Sequence, residues 1–252
     1  MILVTLIRSL IFDVLMYGSM LVMGILFAPA ALWSKDGAYW AMKTYARTNL
    51  WFLKVICGLD YELRGHVPTG EVLVASKHQS FMDILIHFKH LPRPRFIMKK
   101  ELKWAPIIGV YALRIGSTPV ARGKRGAAVK EMVSDVEKQS AQPGQLVIYP
   151  QGTRTLPGRY LRYKVGAGVL YQRSGVTCVP AATNVGVFWA RRSWFRKPGL
   201  AVVEYLEPFP VGMELDPFMA ELEARVEGAS DALMAEAGFD VPREKVPQVT
   251  SK

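Results

Sequence analysis

The sequence predicts an α/β protein: a mixed, mostly parallel sheet covered by helices, preceded by an N-terminal pair of helices that docks on a membrane. Three observations predict it. From Tyr61 onward, short runs rich in valine and isoleucine alternate with helical stretches, the pattern of strands joined by crossover helices. From Val14 to Ser34 the chain carries no charge, and roughly 20 apolar residues suffice to cross a bilayer as a helix. The 252 residues, half of them apolar, are enough for one sizeable domain, and a net charge of +11 bears on partners rather than on fold.

The N-terminal element comes first. Ala28-Pro29-Ala30-Ala31 resembles a signal-peptidase site, but the uncharged run exceeds the apolar core of about 7–15 residues that such peptides carry. Beyond it, Asp36, Lys43, Arg47 and Lys54 fall within about 40° of one helix face at 100° per residue. The other faces carry aromatic and aliphatic side chains, including Trp40 and Trp51. A narrow, mainly basic stripe on an otherwise apolar helix suits a bilayer interface. Residues 1–57 therefore read as two membrane-docking helices, with Lys43, Arg47 and Lys54 meeting headgroups. Spanning and insertion into one leaflet both fit.

Residues 58–241 read as the α/β domain and residues 242–252 as a polar tail. The expected strands are Glu71–Ser76, Arg95–Met98, Thr118–Ala121, Gln145–Tyr149, Thr177–Ala181 and Leu200–Leu206. The expected helices are Phe81–Phe88, Pro106–Leu113, Ala127–Gln139, Val165–Arg173 and Pro217–Ala237. Cys57 and Cys178 lack metal-like spacing and read as small buried hydrophobes.

Chemistry concentrates where the first of these strands ends. His78 lies in a polar turn and Asp83 five residues on, in the first turns of a helix. A carboxylate on one imidazole nitrogen fixes the tautomer and leaves the other nitrogen free to take a proton. There is no GxSxG elbow and neither cysteine lies nearby, so the pair would activate a substrate hydroxyl directly. A second strand runs into Tyr149-Pro150-Gln151-Gly152-Thr153-Arg154. There a glycine turn, a hydroxyl and a guanidinium form a cradle suited to phosphate. Lys99, Lys100 and Arg122 stand at further strand ends.

His78-Gln79-Ser80-Phe81-Met82-Asp83 matches the HxxxxD motif of the glycerolipid acyltransferases. Lys100-Glu101-Leu102 with Pro106 and Gly109, Val120-Ala121-Arg122, Tyr149–Thr155 and Val179-Pro180-Ala181 resemble that family's later blocks, in the same order. The resemblance is closest to the bacterial 1-acylglycerol-3-phosphate acyltransferases. It implies a lysophospholipid acceptor, an acyl-carrier-protein or coenzyme A thioester as donor, and no cofactor or metal. It also implies an active site on the cytoplasmic face of the bacterial inner membrane. His78 would be the general base, Asp83 its partner, and Lys100, Arg122, Gly152, Thr153 and Arg154 substrate contacts. Two departures stand out: Gln151 occupies the usual glutamate position and Ala121 the usual aspartate. On shape alone, Gln151→Glu should be tolerated.

Rival readings differ in class. An acyltransferase for another lysolipid, such as a lyso-ornithine lipid, accommodates the two departures. A basic, membrane-tethered binding protein explains the charge without catalysis, but it gives no reason for His78 and Asp83 to be paired. The GxxxxGK[ST] phosphate loop and HExxH are absent, which argues against a kinase and a zinc hydrolase. Nucleic acid is not an expected partner.

Overall fold

The computed structural model describes residues 2–121, 125–139 and 144–241. Leu73, Val74 and Ala75 have no solvent exposure, and they make β2 (Val72–Ser76) a central strand of a seven-stranded sheet. The other strands are β1 (Leu59–Arg64), β3 (Pro94–Lys99), β4 (Thr118–Val120), β5 (Gln145–Ile148), β6 (Cys178–Thr183) and β7 (Gly199–Tyr205). Their order is β1-β7-β6-β2-β5-β3-β4. Neighbours are parallel except β6 and β7, which run antiparallel. The sheet is thus mixed and mostly parallel, as the alternation predicts. β1 extends the expected set; its Leu59, Tyr61 and Leu63 alternate with Asp60, Glu62 and Arg64, the period-two signature of a strand.

Side-chain parity divides the interior into two layers. Val74, Val147 and Val179 point to one side, where they pack with α3 (Lys35–Phe52) and α4 (Met82–His90). Leu73, Ala75, Leu146 and Ile148 point to the other. That side is covered by α6 (Arg125–Gln139), α7 (Gly166–Ser174) and α9 (Leu215–Glu236). The short helices α5 (Ile108–Arg114) and α8 (Val185–Phe188) and a 3₁₀ turn at Lys100–Trp104 complete the domain.

The N-terminal element differs from its expectation in where it breaks. Helix α1 runs from Ile2 to Leu26, through Arg8 and Asp13, and is long and apolar enough to cross a membrane. The chain turns at Phe27, and α2 (Ala28–Trp33) starts with a proline in its first turn, where a missing N–H costs nothing. Ser34 then caps α3 by accepting the Gly37 amide, 2.9 Å. The uncharged run is therefore two helices, not one. The end of α3 widens into a π-turn over Leu53–Cys57 and stops at Gly58, φ 67°, a left-handed conformation that glycine adopts without strain.

The basic stripe makes contacts with the domain along one edge, although Asp36, Arg47 and Lys54 stay exposed. Lys43 donates to the Leu91 carbonyl at the end of α4, 2.7 Å, Lys54 pairs with Asp60 at 2.7 Å, and Asp36 with Arg93 at 2.8 Å. Meanwhile α1 is fastened from below: Arg196, in the connection to β7, ion-pairs with Asp13, stacks on Trp189 at 4.7 Å and donates its amide to Ser9.

Candidate active site

The parallel pairing of β2 with β5, in register Ala75 to Ile148, sets the two motif turns side by side. Each leaves the carboxyl end of a strand, the edge where open α/β sheets hold ligands. The turns are also bonded together: the Thr155 amide and hydroxyl both donate to the His78 carbonyl, at 2.8 and 3.2 Å.

His78 Nδ1 lies 2.9 Å from Asp83 Oδ1 and 3.1 Å from Oδ2. Asp83 has no solvent exposure, and its oxygens also accept the Gln79 and Ser80 amides, 2.9 Å each, and the Tyr149 hydroxyl at 3.2 Å. Burial pushes this carboxyl up. The His78 ring and the two amides outweigh it and hold Asp83 below the ordinary carboxylate range. The acceptor-only carboxylate makes Nδ1 the protonated nitrogen, so Nε2 carries the lone pair. Tyr149 stacks on the imidazole at 3.8 Å between ring centroids, 17° from parallel. Burial and Asp83 drive its phenol well above the ordinary range, so it remains a neutral donor.

His78 opens onto a cavity of about 480 Å³. Met20, Met23 and Gly24 of α1 form one wall, and Phe81, Phe88 and Phe96 of the domain line another. Thr153, Arg154, Lys99 and Arg191 stand among its lining residues. An apolar cavity with a base and cations at its lining can hold a hydrocarbon chain beside a charged head.

Several expected site residues take other positions. Gly152 adopts φ 68°, and a Cβ there would meet the Lys164 side chain at 2.8 Å; it shapes the turn rather than the cavity wall. Lys100 faces Glu131 of α6 at 3.7 Å, and Lys99 takes the cavity position. Arg122 lies outside the described residues, as does the expected tail at 242–252. Arg191 went unread in the sequence; its Nη1 donates to the Arg154 carbonyl, 3.3 Å. The Trp189-Ala190-Arg191-Arg192 run after β6, at the same edge of the sheet as His78, is the signal that could have found it. Gln151, 2% exposed, donates its amide to Glu227 of α9 at 3.1 Å. A glutamate there would face a carboxylate, so shape does not decide the outcome of Gln151→Glu as the sequence reading expects.

A family model described as Acyltransferase matches residues 59–184, the stretch from β1 to the end of β6. The chain is 25% identical over 234 residues to the 1-acyl-sn-glycerol-3-phosphate acyltransferase of Pseudomonas aeruginosa, covering 91% of each. It is 30% identical over 169 residues to the human 1-acyl-sn-glycerol-3-phosphate acyltransferase alpha, spanning 65% of this chain and 60% of that protein. The crystal structure of the 1-acyl-sn-glycerophosphate acyltransferase of Thermotoga maritima superposes with a TM-score of 0.74 at 18% identity, over 92% of this chain and 97% of that one; at such identity the likeness speaks for the fold. The family match takes in His78, Asp83 and the turn through Arg154, and over half the chain it makes this protein a member of the acyltransferase family.

Proposed function

We propose that this protein acylates the free hydroxyl of 1-acylglycerol-3-phosphate, giving phosphatidic acid, with an acyl-carrier-protein or coenzyme A thioester as donor. The observation that carries the proposal is the dyad's geometry. Asp83 holds the Nδ1 proton, and Nε2 is the free base on an apolar cavity whose lining includes two arginines. The names of the relatives fit the same acceptor.

The acceptor oxygen attacks the thioester carbon as His78 Nε2 takes its proton. The resulting tetrahedral centre expels the thiolate, which recovers that proton from the imidazolium. Asp83 stabilises the imidazolium between these steps. Arg154 and Arg191 hold the acceptor's phosphate, and the apolar walls take acyl chain. No acyl-enzyme is required. Cys178 is fully buried in β6, and burial pushes its thiol up to about 12, far from the thiolate a nucleophile needs.

The reaction takes place at a membrane, a reading that the exposed apolar surface supports. The outer face of α1 exposes Val14, Leu21, Val22 and Ile25, and Trp33, Trp40 and Trp51 are 90%, 53% and 59% exposed. Tryptophan is enriched at the headgroup level of bilayers. With Asp13 fastened to Arg196, α1 lies against the domain and enters one leaflet from the cytoplasmic side. Arg47 and Lys54 are the exposed stripe residues that meet headgroups; Lys43 serves mainly to seat α3.

The deciding experiment offers purified protein in detergent a labelled acyl thioester and a panel of lysolipids, with His78→Ala as control. Phosphatidic acid made from lysophosphatidic acid in preference to phosphate-free lysolipids supports the proposal. Preference for a phosphate-free acceptor refutes it.

A further inference from the structure

Lys77 stands between the end of β2 and His78. Its amide continues the sheet by donating to the Ala181 carbonyl, 2.9 Å. Successive residues of an extended chain point to opposite faces, so while His78 faces the cavity, Lys77 faces α9. It is 2% exposed there, and a buried ammonium needs a counter-ion and hydrogen bonds.

Glu227 of α9 supplies both. Its Oε2 lies 2.5 Å from Lys77 Nζ, while Oε1 accepts the Gln151 amide at 3.1 Å and the Tyr163 hydroxyl at 2.9 Å. Burial and Glu227 raise the Tyr163 phenol well above its ordinary range, which keeps it a donor. The other acids on this stretch of α9, Glu223 and Asp231, are both shifted up by burial. Lys77, Glu227, Gln151 and Tyr163 close a hydrogen-bonded unit with one charge of each sign, and a neutral glutamine at 151 keeps a second carboxylate out of it.

We infer that Glu227 is a positioning residue of the catalytic centre, acting through Lys77 on the His78 turn and through Gln151 on the Thr153–Arg154 turn. It touches no reacting atom. It adds a brace on the α9 side to two turns that Thr155, the Tyr149 contacts with Asp83 and His78, and the sheet also join, and a shift of about 1 Å between base and substrate costs on the order of 100-fold in rate.

The inference rests on the acyl-transfer reading, so wild type and His78→Ala are assayed first. A wild type without acyl transfer, or one matched by His78→Ala, sinks that reading and leaves the present one aside. Given an active wild type, Glu227→Gln, Gln151→Glu and the double swap Gln151→Glu/Glu227→Gln are compared at about 20 °C, with melting curves to confirm folding. Glu227→Gln should lower kcat at least about tenfold with donor KM within about threefold. Gln151→Glu places two carboxylates on one ammonium, so its activity should fall further relative to wild type as pH rises from about 5 to 8. The swap restores one charge of each sign and should return kcat to within about threefold of wild type. A loss below tenfold in folded Glu227→Gln overturns the inference, as does a swap no better than the worse single variant. If Glu227→Gln does not fold, the pH profile of Gln151→Glu and the recovery in the swap decide the matter: a flat profile or no recovery overturns it.

Discussion

Asp83→Asn tests the dyad more sharply than deleting the histidine, because the structure dictates how an asparagine must sit. The Gln79 and Ser80 amides both point at Oδ2, 2.9 Å away. An asparagine NH₂ placed there would oppose two N–H donors, so the carboxamide oxygen takes that side. The NH₂ then faces His78 Nδ1, which must become the acceptor, and the ring proton moves to Nε2. The atom that should take the acceptor's proton is then already protonated. General-base catalysis contributes roughly 10²–10⁴-fold, and inverting a histidine's tautomer in this manner costs about 10⁴ in serine proteases. Both amide bonds survive and the volume is unchanged, so the fold should persist. The variant should therefore lose at least about 100-fold in kcat with KM nearly constant, the mark of an interaction confined to the transition state. Initial velocities with both substrates saturating, alongside thermal melts, measure this. A folded Asp83→Asn enzyme retaining more than a tenth of wild-type kcat would refute the reasoning.

The remaining predictions concern acceptor, order and pH. Arg154→Gln should cut kcat/KM for lysophosphatidic acid on the order of 10–100-fold, as loss of a charge-assisted bond worth about 1.5–3 kcal/mol implies, and much less for a phosphate-free lysolipid; equal losses would withdraw the phosphate role. Kinetics should be sequential, and mass spectrometry after incubation with donor alone should find no stoichiometric acyl adduct; one on Cys178 or a serine would contradict direct attack. His87 sits unexposed between the Tyr205 and Ser76 hydroxyls, 2.8 and 3.0 Å away, and burial lowers it to about 4. The unfolded histidine titrates near 6.5, so the fold binds fewer protons than the unfolded chain between these values. Stability is then full above about pH 6.5 and falls by about 3 kcal/mol as pH drops to 4. Urea midpoints across that range should lose this slope in His87→Gln, and an unchanged slope would place the acid sensitivity elsewhere.

The sheet was legible because its strands are compact apolar runs between turn residues, and β2 and β5 announce themselves as Val72–Ser76 and Gln145–Ile148. The dyad was legible because a five-residue spacing across a strand-to-helix turn constrains it locally. What escaped depends on partners far along the chain. The true extent of α1 follows from Asp13, whose charge is held by Arg196, 183 residues away. The surroundings of Gln151 are set by Glu227, 76 residues on, so reading position 151 alone shows a departure from the family's glutamate and not the buried hydrogen bond to α9. Lys99 and Lys100 are neighbours at a strand end, and their difference rests on where β3 stops and the 3₁₀ turn begins. β1 lies at one edge of the sheet and alternates apolar with charged residues, a weaker signal than the continuous apolar runs of the buried central strands.

The wall that α1 contributes to the cavity changes the thermodynamic reference of binding. Moving hydrocarbon from water into an apolar site gains about 0.8 kcal/mol per methylene, but a tail that slides from the leaflet past Met20, Met23 and Gly24 leaves one apolar medium for another and gains almost none of it. Chain length then contributes little to acceptor affinity, and the polar head supplies most of it. The relevant concentration is the mole fraction of acceptor in the surface. Diluting lysophosphatidic acid with inert lipid at constant bulk amount should therefore raise its apparent KM in proportion, whereas adding more vesicles of fixed composition should leave it unchanged once all enzyme is bound.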